Sequence, residues 1–249
     1  MNGSTLSHLS SDINARPSPG GFSGRADQSS KTSRLARPMA LAAIALLALT
    51  VLTIPAQAQR ISFADMPLGA KPKDFEPALT GSGQQGEWTV VEDATAEGGR
   101  ALAQSNADPT DYRFPLAIYM PTVPSDVEVT VRFKPVSGQV DRSGGVIVRL
   151  VDRNNYYVAR ANVLEENVRF YRVVAGRRQQ LATAHAKITT AQWHTLSLRA
   201  QGDRFTVSFD GKPMHTTTDK TFASPGKIGL WTKADSVTRF DWIDIKPQN

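Results

Sequence analysis

Six residues of this chain carry side chains suited to holding a polar ligand on a β-sheet: Arg149, Arg160, Asn162, Tyr171, Trp231 and Lys233. A guanidinium fork matches a carboxylate or a pair of hydroxyls, an amide both donates and accepts, and an indole offers a flat apolar face against which a ring can stack. None of the six is an obvious proton donor for breaking a bond, so the set favours binding over cleavage.

Their neighbours in sequence say which element presents each of them. The run GGVIVRLVDRNNYYVARANVLEENVRFYRVVAGRRQQ, residues 144–180, reads as four short strands separated by polar turns. In a strand, successive side chains point to opposite faces. Tyr156, Val158, Arg160 and Asn162 therefore share one face, Tyr157, Ala159 and Ala161 the other, and Arg169 shares a face with Tyr171 on the next strand, within cross-strand reach of Arg160. Two roles stay open for Arg160: a ligand contact in a groove, or an ion pair with Glu165 or Glu166. Arg149 lies in the apolar run 147–151 and is either paired in a groove or on the solvated face of the sheet. Trp231 and Lys233 share a face near the C-terminal end, where the indole either stacks on a sugar or fills the core; Trp193 and Trp242 read as core aromatics.

The rest of the chain after Gln59 follows the same grammar. Residues 59–85 are dense in Pro, Gly and Lys and read as an extended lead-in. Residues 86–93 and 100–105 form opening strands around Gly98-Gly99, and Val127, Val129, Val131 and Phe133 alternate against Glu128, Thr130 and Arg132 as a strand buried on one side. Asn154 and Asn155 tolerate the left-handed backbone of a tight hairpin, and Ala175-Gly176, Gly202-Asp203 and Asp210-Gly211 mark further turns. Ten or more short strands at intervals of about 8–12 residues, with no useful amphipathic helix, predict an all-β fold, a two-sheet antiparallel sandwich rather than a barrel or propeller, over residues 86–247.

The N-terminus has a different character. Residues 1–33 are rich in Ser, Gly, Asn and Asp without hydrophobic periodicity and are expected to be disordered. Residues 34–58 have the form of a signal peptide. Lys31, Arg34 and Arg37 precede an uncharged apolar run at 39–54, shorter than the about 20 residues a spanning helix needs, and Ala56-Gln57-Ala58 offers a small-x-small cleavage site before Gln59. The alternative is an uncleaved anchor. Cleavage predicts a secreted or periplasmic domain with no stable membrane insertion afterwards. It would lower the net charge from +6 to +3, since five basic and two acidic residues lie in 1–58, and a surplus that small and that dispersed argues against nucleic acid as a partner. The chain has no cysteine, which removes thiol catalysis and thiolate metal sites.

The segments NNYYVARANVLEENVRFYRV, QWHTLSLRAQGDRFTVSFDG and GKIGLWTKADSVTRFDWIDI together resemble the concanavalin A-like lectin/glucanase superfamily. More narrowly, they look like the 3-keto-disaccharide hydrolase domain group of bacterial secreted proteins, a laminin-G-like jelly roll. The likeness covers about residues 86–246. It implies two curved antiparallel sheets, the concave one often carrying a carbohydrate site. The retaining glucanases of the superfamily use a Glu-x-Asp-x-x-Glu strand motif, which this sequence lacks. Asp241 and Asp244, the nearest acidic spacing, are expected on opposite faces of a strand, unsuited to a carboxylate pair about 5–5.5 Å apart.

No cofactor is indicated. His185, His194 and His215 are scattered with no zinc-site spacing, no glycine-rich phosphate loop precedes a helix, and Asn106, Asp108 and Asp111 offer oxygens to Ca²⁺ only in a turn pattern commoner without metal. Three functions remain in view: an exported sandwich that binds carbohydrate or a glycoconjugate on its concave sheet; a hydrolase or lyase acting on 3-keto-disaccharide-type sugars, which needs an Asp, Glu or His in the groove; and a non-catalytic interaction domain of the cell envelope.

Overall fold

The computed structural model describes residues 57–248. The expectations for residues 1–33 and for nearly all of 34–58 lie outside the described residues. The described residues form fifteen strands and no α-helix: β1 (Gln59–Ser62), β2 (Phe75–Gly81), β3 (Trp88–Glu92), β4 (Arg100–Gln104), β5 (Arg113–Val123), β6 (Val127–Ser137), β7 (Ser143–Asp152), β8 (Asn155–Asn162), β9 (Asn167–Val174), β10 (Arg177–His185), β11 (His194–Gln201), β12 (Arg204–Phe209), β13 (Lys212–Thr218), β14 (Gly226–Trp231) and β15 (Val237–Pro247). They build two antiparallel sheets. Sheet A runs β13-β12-β11-β6-β15-β4-β3, with β1 beside β15; sheet B runs β10-β9-β8-β7-β14-β5-β2. Chain neighbours are repeatedly split between the sheets, the jelly-roll form of sandwich.

Alternation decides which side of each sheet is dry. Val127, Val129, Val131 and Phe133 of β6 meet Leu196, Leu198 and Ala200 of β11 on the inner face of sheet A. Val146, Val148, Tyr157, Ala159, Ala161, Val168, Phe170, Ile228 and Leu230 face them from sheet B. Each Val, Leu, Ile or Phe among them contributes about 1.5–3 kcal/mol on burial, so a one-residue slip in register would be costly. The turns follow their residue types: Ala175 and Gly176, like Asp210 and Gly211, all have positive φ, as a two-residue hairpin of matching twist requires. The β7–β8 turn works differently. Neither Asn154 nor Asn155 is left-handed, and the Asp152 carboxylate holds the turn instead by accepting from the Asn154 amide at 2.6 Å and the Asn155 side chain at 2.9 Å.

Three parts of the fold depart from expectation. The lead-in at 59–85 supplies two strands: β1 extends sheet A along β15, and β2 closes the edge of sheet B. β5 lies between β14 and β2 although it contains Pro115 and Pro121, residues that argue against an inner strand; the Pro115 carbonyl accepts from the Thr232 amide at 3.1 Å. The third departure is a bulge in β7 between Val148 and Asp152, which puts Arg149 at φ 50° and turns its side chain out of the strand's alternation.

Sheet B is strongly curled toward its outer side. In a flat sheet, strands are about 4.8 Å apart, so β10 and β5, five positions apart, would be roughly 24 Å from each other. Yet Arg178 of β10 lies 4.3 Å from the ring centroid of Phe114 in β5, and Thr80 of β2 lies 3.0 Å from the Tyr156 hydroxyl of β8. The curl closes on a second apolar cluster: Phe114, Leu116, Ile147, Tyr156, Val158, Tyr171, Val173 and Trp231. The outer face of sheet B is thus the concave face of the sandwich, and its floor is packed.

Candidate ligand-binding face

Three of the six residues singled out by the sequence, Arg160, Asn162 and Tyr171, gather on this concave face beside Glu165, with Trp231 in its floor. Arg160 pairs with Glu165 at 3.0 Å, donates to Asn167 Oδ1 at 2.6 Å, and lies 3.4 Å from the Tyr171 hydroxyl. Asn162 reaches the other Glu165 oxygen at 3.3 Å, while its own carbonyl accepts from the Leu164 and Glu165 amides and shapes the β8–β9 turn. Arg169 shares Glu165 at 2.8 Å and donates to the Tyr171 hydroxyl at 3.4 Å. Of the two roles left open for Arg160, the ion pair with Glu165 is the one formed. Burial works to raise the Glu165 carboxyl, but the charges of Arg160 and Arg169, with the Asn167 amide, hold it below its ordinary range.

Trp231 is fully buried at the centre of the face, stacked on Phe114 with centroids 5.5 Å apart. Gly145 makes room for it: a Cβ there would stand 3.1 Å from the indole and 2.9 Å from the Ala159 carbonyl. Lys233 closes the side of the face, 2.6 Å from Asp111 and 3.4 Å from Asp141. Asp141 is buried, and that burial raises its carboxyl despite the nearby Lys233 and Arg160 charges.

Arg149 does not join the group. The bulge sends it to the rim of sheet A, where its guanidinium lies 5.1 Å from the Phe205 ring and donates to the Ser125, Phe222 and Gly202 carbonyls and to Asp126. Neither the groove nor a solvated face holds it: the carbonyls of Ser125, Phe222 and Gly202 and the Asp126 carboxylate take up its donors. The Asp241–Asp244 geometry also differs from expectation. A bulge between Phe240 and Trp242 resets the alternation, and both carboxylates face outward from sheet A, Asp241 on Arg132 and Asp244 on Arg60. Trp193 and Trp242, read as core residues, are half-buried on that outer face beneath cations, Arg132 at 4.8 Å and Arg60 at 4.2 Å.

The sequence reading missed Arg178. Its guanidinium lies over Phe114 at 4.3 Å, Tyr171 at 4.9 Å and Trp231 at 5.8 Å. Among the described residues it has no ion pair, and its Nε and Nη1 are buried without a hydrogen-bond partner. Asp111 is near enough for Arg178 to help lower its carboxyl, but the Lys233 ammonium, the largest cause, holds that carboxylate. Arg160 and Arg169 each leave their Nε unpartnered too. The face therefore carries more donors than the protein supplies acceptors.

Elsewhere, a cavity of about 290 Å³ opens on the other side of sheet B, lined by Lys71, Phe75, Pro77, Trp88 and Ala117. None of the six residues lines it. The oxygens of Asn106 and Asp108 are occupied by protein donors, among them Arg113, the Gln84 amide and the Thr110 amide and hydroxyl. Among the described residues no three His, Cys, Asp or Glu side chains converge on a metal position, and no helix is long and apolar enough to cross a membrane.

Solved structures share this architecture. Carbohydrate-binding module CBM66 from Bacillus subtilis superposes with a TM-score of 0.53 at 19% identity, covering 66% of this chain and 91% of that one. The Bacillus licheniformis β-glucanase gives 0.52 at 15% identity, covering 78% and 100%. A β-1,3-1,4-glucanase from a mouse hindgut metagenome gives 0.51 at 14% identity, again covering 78% and 100%. At these identities the likeness establishes the concanavalin A-like jelly-roll fold. No curated protein matches the sequence. The family model for the 3-keto-alpha-glucoside-1,2-lyase-like domain matches residues 71–246, from the approach to β2 nearly to the end of β15, and the chain belongs to that family.

Proposed function

We propose that the concave face of sheet B is a saccharide-binding surface of an exported domain, with Arg178, Arg169, Tyr171 and Glu165 as its contacts and Arg160, Asn162 and Trp231 as the buried frame that positions them. The observation that carries this reading is the Arg178 guanidinium, laid across three aromatic rings with no acceptor from the protein. A buried donor without a partner costs about 1–3 kcal/mol, and a ligand supplying oxygens recovers that cost. Sugars supply oxygens in quantity, and two of the structural neighbours are by name a carbohydrate-binding module and a glucanase, which supports the ligand class. Export rests on the signal-like segment at 34–58.

A second reading follows from Asp141 and the family. In a 3-keto-glycoside the carbonyl acidifies the proton on the carbon between it and the anomeric centre, so a base that removes that proton expels the anomeric oxygen substituent. Asp141, 3.4 Å from Lys233, is the carboxyl on this face whose hold on a proton is strengthened by burial. Binding is preferred because Asp141 is only 1% exposed and a substrate would have to displace Lys233 to reach it.

The test is a glycan array read alongside turnover of a 3-keto-α-glucoside. Saccharide binding without turnover is expected. Turnover lost in Asp141→Asn would favour the lyase reading, and the absence of any saccharide hit would refute the binding reading.

A further inference from the structure

The charge balance of the concave face narrows the ligand. Its cations are Arg160, Arg169, Arg178 and Lys233, and its carboxylates are Glu165, Asp111 and Asp141. Glu165 serves Arg160 and Arg169 together, and Asp111 and Asp141 both serve Lys233. Arg178 is left over. Its Nε and Nη1 have no partner, and neither does its Nη2, which is not enclosed. Nη2 is the nitrogen open to a ligand, and each two-nitrogen edge of the guanidinium pairs it with a buried nitrogen that has no partner.

A guanidinium that needed only neutral hydroxyls could have met the backbone carbonyls of a neighbouring loop, as Arg113 and Arg149 do elsewhere in this molecule. Arg178 is instead held by ring faces: Phe114 and Trp231 stack beneath it, and Tyr171 links it to Arg169. Aromatic faces stabilise the cation without using any of its N–H groups, so its donors stay available in a fixed place. Arg169, half-buried beside it, has its Nη2 unpaired and not enclosed, and its Nε unpaired. Arg178 is the cation of this face with no carboxylate against it, and a singly charged group neutralises it.

We infer that the saccharide bound here is acidic, carrying one negative charge per recognised residue, a uronate carboxylate or a sulfate ester, and that Arg178 is the residue that selects it. This rests on the saccharide-binding reading above. Arg178 would take the anion by paired N–H donation, with Arg169 as the second donor. The ring hydroxyls would fall to the polar edge formed by Glu165 and Tyr171.

The experiment is calorimetric titration of the full chain with oligogalacturonate, with the fully methyl-esterified oligomer of the same length, and with a sulfated neutral oligosaccharide and its unsulfated parent. One charge-assisted contact corresponds to roughly a 10- to 100-fold difference in affinity. At least one acidic ligand should bind tighter than its uncharged partner by that factor, the advantage should shrink with added salt, and in Arg178→Gln the acidic ligand and its uncharged partner should bind with equal affinity. Which acidic ligand wins separates carboxylate from sulfate. Equal or tighter binding of the uncharged partners, or a charge preference that survives in Arg178→Gln, overturns the inference and leaves saccharide binding standing. If the acidic ligands fail to bind while neutral glycans score on the array, only the inference falls. If nothing binds in either experiment, both fall. Circular dichroism and the melting temperature of Arg178→Gln establish that the variant is folded.

Discussion

Arg178 and Phe114 stand on strands five places apart in sheet B, yet the guanidinium of one lies 4.3 Å from the ring centroid of the other. The contact exists because the sheet curls, and the same curl brings the Tyr112 hydroxyl 3.0 Å from the Gly176 carbonyl across the mouth of the face. A cation is thus held over a second apolar core, with neither a carboxylate nor a carbonyl to receive its donors.

That arrangement makes Arg178 poorly optimised for stability. Its contact with the rings is worth about 0.5–2 kcal/mol, and its unpartnered buried N–H groups cost a similar amount. Arg178→Met keeps an unbranched chain over Phe114 and Trp231 and removes the charge. Chemical denaturation should place the variant within about 1 kcal/mol of the wild type. A loss well beyond about 2 kcal/mol would mean that Arg178 is a structural tie and not a reserved donor.

Gly145 carries the opposite expectation. A Cβ there meets the Ala159 carbonyl at 2.9 Å and Trp231 at 3.1 Å, and neither a backbone atom nor a fully buried indole yields easily. Gly145→Ala should cost about 1–3 kcal/mol, seen as a lower melting temperature and as a shift in near-ultraviolet circular dichroism from a displaced Trp231. An unchanged melting temperature would show that the centre of the concave face is loosely packed.

His215 should give the stability curve a definite slope in acid. Its imidazole lies 6.4 Å from the Phe170 ring with both nitrogens unpartnered, and burial lowers its pKa below the ordinary value of 6.5. The folded state therefore binds this proton less readily than the unfolded chain. Stability is retained above the unfolded value and lost as pH falls below it toward the folded one. As pH falls below about 6.5, the wild type should lose melting temperature faster than His215→Gln, measured by scanning calorimetry at matched ionic strength. Parallel slopes would contradict the assignment.

Much of this architecture is legible in alternation. β6 and β11 announce themselves because their apolar residues recur every second position, and the same period of two places Arg160 and Asn162 on one face of β8. What alternation does not carry is curvature or bulges. Arg178 stands in the hairpin sequence GRRQQ with nothing nearby in the chain to mark it, and only the curl brings it over Phe114. Arg149, Asp241 and Trp242 were displaced from their expected settings for the related reason that one extra residue in a strand reverses every face after it. β2 is masked in the lead-in by Pro77, which the structure accommodates in the edge strand of sheet B.

The central claim, that a saccharide is bound at Arg178, is tested most directly by the arginine side-chain Nε–Hε resonances in a nuclear magnetic resonance titration with whichever glycan the array selects. The Arg178 signal should shift and saturate with the calorimetric affinity, Arg169 should follow it, and the Trp88 indole signal in the cavity on the other side of sheet B should stay still. Saturable movement at Trp88 with Arg178 unmoved would place the ligand in that cavity and contradict the claim.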